Sequence, residues 1–143
     1  INYPKLMKRV RGYIFSRPFM EERVPQHIQN LVIRDYCKRN NLQYLLSATE
    51  YVMEDSYLIH EQVMNDLSDV NGVVAYSVFQ LPENGSSRQK IYKQIMNQNK
   101  AYYFAVEGLS MSNEFECERI ETLWRVKQTL PLCYLTVGLM SYG

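Results

Sequence analysis

Asn71-Gly72-Val73-Val74-Ala75-Tyr76-Ser77 joins a turn pair to four consecutive apolar residues and then a polar stop. A short apolar run between two such stops fits a strand buried on both faces. Strands of that kind belong to parallel sheets covered by helices. Working outward, the chain repeats one alternation on either side. Before the run, Ile59, Val63, Met64 and Leu67 are spaced as one helical face, with Asp55 or Ser56 as the expected cap. His60 on that helix reads as a half-buried structural residue. After the run comes a polar loop, Pro82 to Ser87, and a second helical face of Ile91, Tyr92, Ile95 and Met96.

Further out, Gly12–Phe15 reads as a first strand stopping at Ser16-Arg17-Pro18. Pro25 to Lys38 follows as a helix whose apolar face is Ile28, Leu31, Val32 and Tyr36. Tyr44–Leu46 is the second strand, ending at Ser47. Tyr102–Val106 is the fourth, ending at Glu107-Gly108. Ser112 or Asn113 opens a last helix, with Ile120, Leu123 and Trp124 toward a core and the stem of Lys127 beside them. Four strand–helix alternations specify a single α/β domain over residues 1–143. Its expected sheet is four-stranded and parallel, with helices on both faces, in a flavodoxin-like or resolvase-like architecture. Residues 1–10 read as an N-terminal extension. Residues 129–143, an apolar tail, read as either an extra edge strand or a partner surface, and predict a homodimer.

Sixteen basic and fifteen acidic side chains leave a net charge of +1, which argues against a dedicated nucleic-acid binder. No apolar run approaches ~18 residues and no leader-like segment is legible at the start, so a cytoplasmic protein without a membrane span is expected. Cys37, Cys117 and Cys133 lack the paired spacing of a disulfide framework or a zinc site, and His27 and His60 are the only histidines. Neither a metal nor an organic cofactor is expected. Twelve tyrosines suit core margins, interfaces and sugar-binding walls alike.

In open α/β sheets ligands bind beyond the carboxyl ends of the strands. That rule alone nominates a site. Arg17 and Arg23 lie in the loop before a helix opening at Pro25, where Gln26 also sits; an anion would find two cations and a helix N-terminus there. The competing reading pairs each arginine with Glu21, Glu22 or another surface acid. Ser47, Tyr76, Ser77 and Gln80, at the ends of the second and third strands, are candidate donors to sugar hydroxyls. Ser16, Glu50 and Glu107 are the candidate catalytic residues: a hydroxyl, and two carboxylates able to divide acid and base roles. The bland alternative for all of them is loop chemistry and helix capping. No GxSxG elbow, phosphate-binding glycine loop or GxxxxGK[ST] accompanies them.

Two resemblances bear on these residues. GYIFSR and the later RDYCKRNN resemble the catalytic domain of serine recombinases (resolvases), which opens with a strand ending in tyrosine-x-arginine-x-serine. The aspartate-arginine-leucine-x-arginine motif of those domains has Phe79-Gln80-Leu81-Pro82-Glu83 as its counterpart here. Its aspartate and both arginines are missing, and Ser16 stands one residue early. The resemblance therefore implies the fold without the strand-transfer chemistry. Over more of the chain, RGYIFSRPF, RVPQHIQNLVIRDYC, YLLSATEY, VVAYSVFQLP, FAVEGL and WRVKQTLP look like the sporadic carbohydrate cluster proteins. That likeness implies a setting in bacterial surface-polysaccharide synthesis and brings no assigned residues. Together with the strand ends it predicts an enzyme acting on an acidic, phosphorylated or nucleotide-activated sugar by proton transfer. The alternatives are a non-catalytic accessory subunit and a degenerate recombinase-like module.

Overall fold

The computed structural model describes residues 7–20 and 22–142, with side chains described as far as residue 129. The chain divides into an α/β unit reaching Ser112 and a helical unit from Asn113. The first unit runs β1 (Lys8–Phe15), α1 (Gln26–Arg39), β2 (Leu42–Glu50), α2 (Leu58–Asn65), β3 (Gly72–Ala75), α3 (Gly85–Asn97), β4 (Ala101–Phe104) and β5 (Leu109–Met111). The second is one helix, α4 (Glu114–Tyr142).

The strand order is β2-β1-β3-β4-β5. The first four strands are parallel, as expected, and β5 adds an antiparallel fifth at the β4 edge. Three residues are too few to leave a period in the sequence, and the turn before them is carried by Gly108 at φ 65°. All four residues of Gly72–Ala75 are buried, as a central parallel strand requires. On one face, Val10, Ile14 and Val74 pack with Ile33, Tyr36 and Cys37 of α1. On the other, the rings of Tyr13 and Tyr102 meet His60 of α2. Helices thus cover both faces of the sheet.

Several boundaries differ from the sequence reading. The strand read as starting at Gly12 begins at Lys8, so part of the expected extension 1–10 is sheet; residues 1–6 lie outside the described residues. On α1 the inward residues are Gln29, Ile33, Tyr36 and Cys37, while Ile28 and Leu31 are exposed. Gln29 turns inward because its amide has buried backbone partners there. Neither Asp55 nor Ser56 caps α2; Tyr57 holds that position without a side-chain bond. His60 is buried rather than half-buried. Asn113 does cap α4, its Oδ1 accepting from the Glu116 N–H at 2.9 Å.

Of the two readings of the tail, edge strand or partner surface, the edge strand does not hold: the backbone is helix as far as Tyr142. Extending a helix already running costs far less than starting one, and the leucines and Met140 favour it against the poor helix formers Pro131 and Gly138. Whether those side chains make an interface, and the state of Cys133, lie outside the described residues. Among the described residues no helix is long and apolar enough to cross a membrane, and no group of His, Cys, Asp and Glu side chains could hold a metal ion.

Candidate functional site

The strand order reverses between β1 and β3, the place where open α/β sheets form a crevice at their carboxyl edge. Here that edge is filled by the protein's own polar groups. Gln29 leans from α1 onto the end of β1. Its Nε2 donates to the Phe15 and Val24 carbonyls at 2.9 and 2.8 Å, and its Oε1 accepts from the Phe15 N–H at 3.1 Å. Gln80 arrives from the β3 side and donates its Nε2 to the same Oε1 at 2.7 Å. Its own Oε1 accepts from the N–H groups of Tyr76 and Ser77 at 3.0 and 3.4 Å. Both amides are fully buried, so the pair clasps β1 to β3 where a ligand crevice would open. Strand-end reasoning finds Gln80 but misses Gln29, whose polar side chain gives no sign in sequence of facing inward.

Glu50 is the last residue of β2 and is 1% exposed. Oε1 accepts from the Tyr13 hydroxyl at 2.8 Å and the His60 N–H at 3.1 Å. Oε2 accepts from the N–H groups of Tyr51 and Ile59 at 3.1 and 3.2 Å. This carboxylate therefore does for α2 what a capping side chain would do, at the positive end of the helix dipole. Burial and the adjacent carboxylate push the Tyr13 hydroxyl far above its ordinary range. Burial also pulls His60 down to about 4, so it is neutral across physiological pH.

Ser16 donates its Oγ–H to the Glu50 carbonyl at 2.7 Å, tying the exits of β1 and β2 together. Arg17 is 7% exposed. Its Nη1 donates to the carbonyls of Tyr51 and Met53 at 2.8 and 3.0 Å, and its guanidinium lies over the rings of Phe15 and Tyr57, 4.3 and 5.0 Å from their centroids. Its partners here are backbone carbonyls rather than a surface acid. It pins the loop that follows β2.

Ser77 and Glu107 meet at the exits of β3 and β4. Glu107 accepts from the Val78 N–H at 2.5 Å and from the Ser77 hydroxyl at 3.1 Å, capping the short 3-10 turn Val78–Gln80. Burial pushes its carboxyl up, against the opposing pull of these bonds. Tyr76 is half-buried with its ring edge against Phe19, centroids 6.0 Å apart. Ser47 falls inside β2 rather than at its end. The bulge at Leu46 turns its Oγ to Asn30 Oδ1 at 2.8 Å and to the Tyr44 hydroxyl at 2.5 Å.

Arg23 and Gln26 are exposed. With Ser16 and Arg17 they line a cavity of about 350 Å³ at the start of α1. Glu21 lies outside the described residues. On the other side of Arg17, a cavity of about 240 Å³ is walled by Phe19, Tyr57 and Phe79 and edged by Glu54, Asp55 and Glu83. The strand-end rule thus brings Ser16, Arg17, Arg23 and Gln26 to one cavity, and Ser77, Gln80 and Glu107 to the neighbouring exits. Glu50 is withdrawn into the fold, and Ser47 lies within its strand.

No protein-family model and no curated protein matches the chain. Solved structures do. The N-terminal catalytic domain of TP901-1 integrase is 11% identical, with a TM-score of 0.56 over 86% of this chain and 98% of that one. A resolvase family site-specific recombinase from Streptococcus pneumoniae is 8% identical, with a TM-score of 0.59 over 93% of this chain and 97% of that one. Identities this low speak for fold alone. Nothing in these comparisons supports the likeness to the carbohydrate cluster proteins. A four-stranded parallel sheet in the order β2-β1-β3-β4, closed by an antiparallel β5, is the resolvase-like fold.

Proposed function

We propose that this chain is a resolvase-like domain that has lost strand transfer and works as a binding and assembly module. The observation that carries this reading is the commitment of its strand-end groups to internal partners. The Ser16 hydroxyl is spent on the Glu50 carbonyl, and the Arg17 guanidinium on the carbonyls of Tyr51 and Met53. Strand transfer needs a free hydroxyl near phosphodiester-binding cations. The β3 exit supplies Phe79-Gln80-Leu81-Pro82-Glu83, and Gln80 is itself locked to Gln29. The test is incubation with supercoiled plasmid and duplex oligonucleotides, followed by denaturing electrophoresis. No covalent protein–DNA adduct is expected; an adduct abolished by Ser16→Ala would overturn the proposal.

A second reading keeps the small anionic ligand. It is favoured by the cavity that gathers Ser16, Arg17, Arg23 and Gln26. A thermal-shift screen against sugar acids, sugar phosphates and nucleotide sugars tests it. A ligand at 100 times its dissociation constant adds ~2.7 kcal/mol of stability. A rise in melting temperature that disappears in Arg23→Ala supports the reading, and a flat screen removes it.

A further inference from the structure

A wide cavity lies between α2 and α3. It measures about 680 Å³ and is floored by Met64, Ile91 and Pro82. Met53 and Leu58 stand at its mouth, 59% and 55% exposed, and Val52 beside them is 67% exposed. Exposed apolar side chains grouped along one groove mark a surface meant to be covered, and methionines let such a groove adapt to its occupant. The rim is asymmetric in charge. Glu54, Asp55 and Glu61 line it against the single cation Lys90, and no ion pair joins those three acids to a partner among the described residues.

The loop bearing Met53, Glu54 and Asp55 is held in place. Arg17 grips the carbonyls of Tyr51 and Met53 from inside, and its guanidinium packs on Tyr57. Asp55 takes a left-handed conformation at φ 62°, which an aspartate tolerates better than most residues. A pre-set loop loses less entropy on binding than a mobile one.

We propose that the α2–α3 groove is a docking site for a basic amphipathic segment of a partner protein. Its apolar side chains would enter between Met53, Leu58, Met64 and Ile91, and its lysines or arginines would meet Glu54, Asp55 and Glu61. Such a segment has the form of the helices that other grooves of this chemistry accept, with anchors three and four residues apart. This goes beyond the loss of strand transfer, since neither Ser16, Arg17 nor Gln80 lines the groove.

The test uses the full chain and two fluorescent 18-residue helical peptides in an anisotropy titration. One carries leucines on one face and lysines on the other; its twin carries glutamates in place of the lysines. Saturable binding of the basic peptide is expected, at least tenfold tighter than the acidic twin and weakened by salt. Leu58→Ser and the double variant Glu54→Gln/Glu61→Gln should each weaken it at least tenfold with the melting temperature kept, since all three positions are exposed. Equal binding of the twins, or indifference to both variants, overturns the proposal. So does a change of oligomeric mass in Leu58→Ser without peptide binding to the parent chain, which would make the groove a contact between copies of this chain.

Discussion

His60 shows how burial sets chemistry at the level of one residue. Its ring is enclosed, edge-on to Tyr13 at 4.8 Å, with Nε2 3.0 Å from the Tyr102 hydroxyl. Burial lowers its pKa from 6.5 to about 4, partly opposed by the nearby Glu50 carboxylate. An imidazole with a depressed folded pKa binds protons more readily in the unfolded chain. Its contribution is therefore constant above pH 6.5 and is lost progressively as pH falls toward 4, in total ~3 kcal/mol. Urea unfolding at pH 7 and pH 4.5 checks this. His60→Gln should flatten the difference, and an unchanged pH dependence in that variant would assign the acid sensitivity elsewhere. Arg17 makes a second prediction. With its guanidinium buried against two carbonyls and two rings, Arg17→Ala should cost ~1.5–3 kcal/mol of fold stability, the range for hydrogen bonds to a charged group. Arg17→Lys should recover only part, because one ammonium cannot both stack and reach two carbonyls. A melting temperature unmoved by Arg17→Ala would mean that the side chain is dispensable to the fold and free for a ligand.

At the scale of elements, the sheet tolerates no side chain at Gly72. A Cβ there would stand 2.3 Å from the Ala101 carbonyl oxygen of the neighbouring strand β4. Gly72→Ala must push two hydrogen-bonded backbones apart, whereas Gly85→Ala meets nothing closer than the flexible end of Arg88 at 3.6 Å. The first should cost ~1–3 kcal/mol or more, the range for overpacking. The second should cost well under 1 kcal/mol; equal costs in a denaturant titration would refute the close-approach argument. The same strand was the most legible part of the chain, because burial on both faces leaves an unbroken apolar run. β2 was legible only in its first half. Ser47, Ala48 and Thr49 look like a polar stop, yet the bulge at Leu46 resets which side chains face inward and the strand runs on to Glu50. The sequence locates α1 but not its inward face, since a buried Gln29 and exposed Ile28 and Leu31 reverse the usual pattern. The candidate site shows the same split. Strand ends can be read from apolar-to-polar switches, so Ser16, Arg17, Ser77, Gln80 and Glu107 fall at the sheet edge. What each holds across that edge lies 29 to 51 residues away, which no local pattern carries.

At the scale of the whole molecule, the remaining question is what covers α4. At 1.5 Å per residue its 29 residues extend about 43 Å. From Thr129 onward the sequence holds no charged side chain. Leu132, Leu135 and Leu139 recur in the sequence at the three- and four-residue spacing of one helical stripe, and an apolar stripe calls for cover. Its earlier turns carry Arg119, Glu121, Arg125 and Lys127, so the demand for cover is concentrated in the second half. A second copy of the chain would meet that demand with the same surface, since closed symmetric dimers are the commonest oligomers. We therefore expect light scattering at micromolar concentration to give close to twice 16.9 kDa. Leu132 and Leu139 are seven residues apart, on one stripe, so Leu132→Glu/Leu139→Glu should halve that mass. The α/β unit ends at Ser112 with its own sheet and helices, so its far-ultraviolet spectrum should survive the change. A monomer mass for the parent chain would show that the helix finds its cover without a second copy. A dimer indifferent to the double substitution would move the contact elsewhere, and the exposed Phe115 and Val126 of α4 would be the next positions to change.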